Sequence, residues 1–203
     1  MYKRQAKGGV GKSSITASIA LSLSKHKKIG ILDADVYGPN QNILFNLDTK
    51  NEIVDKQIIP ITKKGIKIIS MGNIMNYEDA AVWRGPMLSG AIKKLVHDTK
   101  WGELDYLLID MPPGTGDVYL TIFNELSIDK FILITTPNIL AISDLQKTIT
   151  MLKKLNIKIL WKGKGLNEIG YDILNKKKII LVDKNYIRPL DVNTLLGLSL
   201  IHI

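Results

Sequence analysis

The 203 residues contain no cysteine, and this absence is the first constraint that the composition sets. Without thiols the chain forms neither disulfide bonds nor thiolate-ligated metal centres. Its three histidines, His26, His97 and His202, are too scattered along the chain to form a ligand cluster in their place. The composition therefore excludes a disulfide scaffold and any metal centre built from cysteine.

Long apolar runs are also missing from the chain. No stretch approaches the roughly 20 apolar residues that a membrane-spanning helix needs. Serines interrupt the early apolar segment SITASIALSLS, residues 14–24, so we do not interpret it as a signal peptide. We therefore expect a cytoplasmic protein with no membrane partner.

The charge is strongly positive, at a net +9, but it is not gathered in one place. A nucleic-acid surface concentrates lysine and arginine on one face or along one helix. Here the basic groups are spread along the chain, at 24–28, 63–64, 93–94, 153–154 and 176–178. We therefore expect no nucleic acid partner.

The segment AKGGVGKSS, residues 6–14, matches the phosphate-loop pattern G-x-x-x-x-G-K-[S/T] at every position but the first. Glycines let backbone N–H groups turn toward phosphate oxygens, and the following helix directs its positive end at the same anion. Lys12 would reach the β- and γ-phosphates, and the Ser13 hydroxyl would bind Mg²⁺. The pattern predicts a nucleotide site formed by Ala6, Lys7, Gly8, Gly9, Val10, Gly11, Lys12, Ser13 and Ser14.

Two predicted strands end in aspartates. KIGILDAD ends with Asp33 and Asp35, and LDYLLID ends with Asp110. An acidic residue at a strand end beside a phosphate loop is where Mg²⁺ is held, usually through water, so we predict this role for Asp110. Asp33 and Asp35 point to one face of their strand, and the pattern does not choose between them. The turn PPGTG, residues 112–116, suits a segment that senses the γ-phosphate.

The alternation of apolar strands and amphipathic helices predicts an α/β fold with a mostly parallel sheet flanked by helices. Residues 36–65 are expected to form a long connection with a short hairpin, and 176–184 at most an edge strand. The predicted helices lie at 13–24, 87–97 and 143–154, and the predicted strands at 29–33, 66–70, 105–110, 131–135 and 157–160.

Lys7, an extra lysine in the loop, makes the chain resemble the deviant phosphate-loop class that contains MinD, ParA and the nitrogenase iron protein. Within that class it resembles the Mrp/ApbC family of ATP-binding iron–sulfur cluster carriers, from about residue 6 to about residue 160. Four segments carry this resemblance: LDADVYGPN (32–40), WRGPMLSGAIKKL (83–95), WGELDYLLIDMPPGTGDVYLT (101–121) and TTPNILAISDLQK (135–147).

The resemblance implies a slow, homodimer-dependent ATP hydrolase that uses Mg²⁺ and transfers 4Fe-4S clusters to apo iron–sulfur proteins. It implies catalytic roles for Lys7, Lys12 and Asp35. Lys7 would cross the dimer interface to the partner subunit's nucleotide, and Asp35 would orient the attacking water. The alternative is a MinD/ParA-like positioning ATPase acting at a membrane or on DNA, but WRGPM and PPGTGD favour the carrier.

Two features depart from the family pattern. MYKRQ precedes the loop where the family has an apolar strand, and no cysteine pair follows residue 160, so the chain has no iron–sulfur ligands. We expect 1–160 to form the ATP-binding domain and 161–203 to be a divergent segment rather than a separate domain. The simplest interpretation is a fragment with non-native termini or a frameshift near residue 160, which leaves the first strand and the C-terminal part incomplete.

Overall fold

The computed structural model describes residues 9–74, 85–135, 139–155, 159–160 and 178–183. They fall into two compact units. The first unit comprises Ser13–Pro112 and Gly116–Ser127. The second contains residues 9–12, Pro113–Thr115 and the described residues from Ile128 onward. The expectation about the first strand concerns residues 1–5 and lies outside the described residues.

The first unit alternates strands and helices along the chain. A short 3₁₀ helix, Met71–Asn73, directly follows the strand Ile66–Ser70. The elements in order are α1 (Lys12–Leu23, beginning one residue before the unit), β1 (Ile29–Asp33), α2 (Gln41–Leu44), β2 (Ile53–Val54), β3 (Gln57–Ile58), β4 (Ile61–Lys63), β5 (Ile66–Ser70), α3 (Pro86–His97), β6 (Tyr106–Asp110) and α4 (Asp117–Glu125).

A four-stranded sheet in the order β4–β5–β1–β6 forms the centre of this unit. Strands β5, β1 and β6 run parallel, whereas β4 is antiparallel to β5. All five residues of β1 are buried, as expected for an apolar strand covered on both faces. The register pairs Asp33 with Ser70 on one side and with Asp110 on the other, so three polar residues meet where the parallel strands end.

Helices α3 and α4 pack against each other through both apolar and polar contacts. Each buries an apolar stripe, which includes Ile92 on α3 and Ile122 on α4. The carboxylate of Glu125 lies 2.7 Å from the Lys93 ammonium and 2.7 Å from Nε2 of His97. These two contacts join the C-terminal ends of the two helices.

The second unit contains a smaller parallel sheet. Its elements are β7 (Lys130–Thr135), α5 (Ile139–Lys154), β8 (Ile159–Leu160) and β9 (Lys178–Asp183). The strand order is β7–β9–β8, so β9 is paired on both sides. Our expectation of an edge strand there was wrong. The uninterrupted IILV run of β9 is typical of a parallel strand in the interior of a sheet.

The predicted fold class is confirmed, and the apolar strands match best. The bounds predicted for 29–33 and 66–70 agree with β1 and β5. The short hairpin expected within 36–65 is β2–β3, whose turn residues Asp55 and Lys56 both have positive φ. Helix α4 and the three-residue strand β4 were not predicted. Among the described residues, no helix has both the length and the apolar character needed to cross a membrane.

Candidate functional site

The described part of the phosphate loop leads directly into α1. Gly9 and Gly11 both have φ of +95°, a left-handed conformation that favours glycine. Among the described residues, no atom lies within 4 Å of a Cβ placed at either position, and the positive φ is the feature that favours glycine. Because α1 begins at Lys12, the N–H groups of its first turn, which have no acceptor within the helix, immediately follow the loop.

The nine predicted nucleotide-binding residues are only partly within the described residues. Lys12 and Ser13 are half-buried in the first turn of α1, and Ser14 is exposed. Val10, in the loop, is also half-buried. Ala6, Lys7 and Gly8 lie outside the described residues.

The side chain of Asp33 is completely buried at the end of β1 and accepts four hydrogen bonds. Its Oδ2 accepts from the backbone N–H of Asn40 and of Gln41, both at 3.0 Å, and from the Ser70 hydroxyl at 3.1 Å. Its Oδ1 accepts from the backbone N–H of Asp35 at 3.2 Å. Through these bonds, the Asp33 carboxylate attaches both ends of the connection 35–41 to the end of β1.

Burial, followed by the nearby charge of Asp110, raises the pKa of Asp33 from 3.8 to about 7. Hydrogen bonds from Gln41, Asp35 and Ser70 favour the ionised form and act in the opposite direction. Because the folded pKa lies above the unfolded one, the folded chain binds more protons between these values. The contribution of Asp33 to stability therefore declines as pH rises from about 4 to about 7.

The structure separates the two aspartates that the sequence pattern left open. Asp33 is enclosed, and its carboxylate is occupied by four donors. Asp35 lies two residues beyond the end of β1, is half-buried, and accepts one bond at 3.1 Å from the N–H of Gly38. Asp35 is thus the more accessible of the two carboxylates.

A glutamine that sequence reasoning missed joins the two predicted magnesium residues. The side-chain Nε2 of Gln41 donates to Asp110 Oδ2 at 2.8 Å and to the Ser13 carbonyl oxygen at 3.0 Å. Both Gln41 and Asp110 are almost completely buried. We call Asp33, Gln41, Ser70 and Asp110 the strand-end cluster. The sequence around Gln41 contains no pattern that distinguishes it from an exposed glutamine in a loop.

The oxygen donors of this region suit Mg²⁺ bound together with a phosphate. Among the described residues, no group of three or more histidine, cysteine, aspartate or glutamate side chains is arranged to hold a metal ion. Mg²⁺, however, usually takes one or two protein ligands and completes its shell with phosphate oxygens and water. The Ser13 hydroxyl and the Asp110 carboxylate are the two oxygen groups predicted for such a set, and the side-chain amide of Gln41 is hydrogen-bonded to both residues.

Tyr119 fixes the beginning of the PPGTG segment. Its buried hydroxyl donates to the carbonyl oxygen of Pro112 at 3.1 Å. Burial raises the pKa of this hydroxyl, and the negative charges of Asp110 and Asp35 raise it further. Tyr119 therefore remains a protonated donor, and it links α4 to the residues that follow β6.

Comparison with known proteins identifies the class first. The nucleotide-binding protein of Archaeoglobus fulgidus, solved in complex with ADP, is 31% identical with a TM-score of 0.63. The superposition covers 96% of this chain and 82% of that protein. MinD of Pyrococcus horikoshii, solved with Mg-ADP, has a TM-score of 0.56 over 81% of this chain and 70% of MinD, at 24% identity, and shares the fold. The chain has the fold of a phosphate-loop NTPase.

The family follows from the sequence match. The family model described as NUBPL iron-transfer P-loop NTPase, within the ParA group, matches residues 4–162. The chain belongs to this family.

Curated relatives in the family share close to half of the aligned residues. The iron-sulfur cluster carrier protein of Pseudomonas fragi is 45% identical over 158 residues, covering 76% of this chain and 55% of the relative. The carrier of Rickettsia conorii is 45% identical over 189 residues, covering 90% and 59%. The iron-sulfur cluster transfer protein NUBPL of Dictyostelium discoideum is 42% identical over 161 residues, covering 76% and 49%. The chain thus spans about half the length of the curated relatives it matches.

The four bonds to Asp33 predict a large loss of stability on its removal. Asp33→Ala leaves the N–H groups of Asn40 and Gln41 without their acceptor, and should lower the free energy of unfolding by about 3 kcal/mol or more. Asp33→Asn should cost less, because it retains an oxygen and removes a buried charge. Urea denaturation measures both. Asp48→Ala, at an exposed aspartate, is the matched control. Equal midpoints for Asp33→Ala and Asp48→Ala would contradict the role assigned to the buried carboxylate.

Proposed function

We propose that this chain binds Mg-ATP through its phosphate loop and hydrolyses it, as the nucleotide-binding part of an iron–sulfur cluster carrier. The observation that carries the proposal is the buried side-chain amide of Gln41. Its nitrogen donates one hydrogen bond to Asp110 and one to Ser13 in the first turn of α1. The family match over 4–162 supports it independently. The match also supports treating 1–160 as one nucleotide-binding domain.

The proposal gives each predicted site residue a separate task. Lys12 offsets negative charge on the β- and γ-phosphates, while the N–H groups of the loop and of α1 surround the same oxygens. Ser13 and Asp110 would hold Mg²⁺, which neutralises charge that develops on the phosphates during transfer. Asp35, the accessible aspartate after β1, orients the attacking water. Phosphoryl transfer needs little else, because positioning and charge stabilisation account for most of its catalysis.

The iron–sulfur part of the proposal concerns cargo, and its support comes from the relatives. Proteins that match this chain at 45% identity are named iron–sulfur cluster carriers. Such clusters are held by cysteine thiolates, and these 203 residues contain none. The contribution of these residues is therefore nucleotide binding and turnover. We further propose that the chain acts in the cytoplasm as a homodimer that serves apo iron–sulfur proteins.

Lys12→Ala tests nucleotide binding. The substitution removes the cation that offsets phosphate charge, which backbone N–H groups alone do not neutralise, so Mg-ATP binding should be lost. Isothermal titration calorimetry measures the effect, with Lys25→Ala, an exposed lysine on the connection after α1, as the control. An unchanged titration of Lys12→Ala would show that the loop is not the nucleotide site.

Lys7→Ala tests the proposed action across a dimer. Because a cation supplied by a partner subunit acts mainly in the transition state, hydrolysis should fall about 10³-fold or more while ATP binding stays intact. Mixing this variant with Lys12→Ala should restore part of the activity. The Lys12→Ala subunit then provides an intact Lys7 to the nucleotide bound by its partner. Equal losses of binding and turnover, with no recovery on mixing, would make Lys7 a ligand within its own subunit.

A further inference from the structure

We infer that Gln41 is a positioning residue for the metal-binding half of the site. Its buried side-chain amide aligns the Asp110 carboxylate with the first turn of α1, where Ser13 lies. This inference rests on the proposed binding of Mg-ATP and adds a residue to which no role was assigned from the sequence. Its support comes from the hydrogen bonds, the burial and the chemistry of the amide.

The two hydrogen bonds fix the orientation of the amide group. The nitrogen lies 2.8 Å from a carboxylate oxygen of Asp110 and 3.0 Å from the carbonyl oxygen of Ser13. Both neighbours are acceptors, so only the NH₂ end of the side chain fits between them. An amide nitrogen carries two hydrogens, and each acceptor takes one. The flip that exchanges nitrogen and oxygen would place the Gln41 oxygen against two other oxygens.

The backbone of Gln41 is anchored independently of its side chain. Its N–H donates to Asp33 Oδ2 at 3.0 Å, and the residue begins α2. The side chain is completely enclosed, which restricts its rotamers. Attachment of α2 to the sheet therefore does not require the side-chain amide. The Nε2 bonds add a second link, from the start of α2 to β6 and α1.

A neutral donor is suited to orienting a carboxylate that binds a cation. A lysine or arginine in this place would add positive charge next to Asp110 and oppose the approach of Mg²⁺. The amide of Gln41 instead holds one oxygen of the carboxylate and leaves its negative charge in place. Replacing a residue that orients a metal ligand through such a hydrogen bond typically lowers metal affinity or activity about 10–100-fold.

The remaining atom of the amide also points to a role beyond packing. The Gln41 Oε1 is buried, and it accepts no hydrogen bond from the described residues. A buried acceptor without a donor is costly. Mg²⁺ in nucleotide sites usually keeps several water ligands, and each is a strong donor. A metal-bound water is the donor that the proposed site would supply to this oxygen.

Gln41→Leu removes the donors while keeping a side chain of similar size. We measure the affinity for a fluorescent ATP analogue across a range of Mg²⁺ concentrations, and again in EDTA. The Mg²⁺ concentration at which half of the metal-dependent gain in nucleotide affinity is reached should rise about 10–100-fold. Affinity in EDTA should change much less, because no residue of the phosphate loop is substituted and only the bond to the Ser13 carbonyl oxygen is lost there. Gln57→Leu, at an exposed glutamine on β3, should follow the wild-type curve in both conditions.

Gln41→Met provides a second variant, with an unbranched side chain that fits the same space, in case leucine disturbs the fold. Thermal unfolding of both variants in EDTA identifies any general loss of structure. A selective shift in Mg²⁺ dependence in whichever variant remains folded supports the inference. An unchanged Mg²⁺ curve overturns it, as do affinities that fall in parallel with and without metal. So does failure of both variants to fold, since the amide would then be essential to the fold itself.

The same titrations separate this inference from the function on which it rests. If the unsubstituted chain binds the nucleotide with Mg²⁺ enhancement, the proposed binding stands and the Gln41 curves decide the positioning role alone. If the unsubstituted chain shows no nucleotide binding in either condition, the proposed function fails and this inference fails with it.

Discussion

The buried carboxylate of Asp33 is the contact on which the rest of the site depends. It terminates the central strand β1 and accepts bonds from the connection that follows and from Ser70 on β5. Burying a carboxylate is unfavourable, and its raised pKa expresses that cost. The hydrogen bonds of the Asp33 side chain fix the position of the connection between β1 and α2. Without it, the N–H groups of Asn40 and Gln41 would have no acceptor at this position.

From this anchor the arrangement extends to the proposed metal site. Because the backbone of Gln41 is held by Asp33, its side chain reaches both Asp110 and the first turn of α1. The parallel register brings Asp110 level with Asp33, so the two carboxylates lie at the same edge of the sheet. Both are buried, but Asp33 accepts from backbone N–H groups and from Ser70, whereas Asp110 accepts from the side-chain amide of Gln41. Similar residues at equivalent strand ends thus have different hydrogen-bond partners.

Continuous apolar runs and the glycine loop could be interpreted from the sequence, whereas the roles of single polar residues could not. The apolar runs of β1 and β5 indicate buried parallel strands, because nothing else accommodates uninterrupted aliphatic residues of that length. The glycine loop followed by Lys12 and Ser13 predicts a phosphate site through its own chemistry. Gln41 was not predictable, because a polar residue in a connection acquires its role only from distant partners. The difference between Asp33 and Asp35 was hidden for the same reason, and α4 was missed because it follows a turn-forming segment closely.

The central claim is that Ser13 and Asp110, aligned through Gln41, hold Mg²⁺ with the phosphates of a bound nucleotide. A crystal structure of the chain with Mg²⁺ and a non-hydrolysable ATP analogue tests it most directly. We expect metal density beside the Ser13 hydroxyl, with the Asp110 carboxylate facing it and the Gln41 amide still bonded to both residues. A nucleotide bound away from the start of α1, or a metal that approaches neither Ser13 nor Asp110, would contradict the claim.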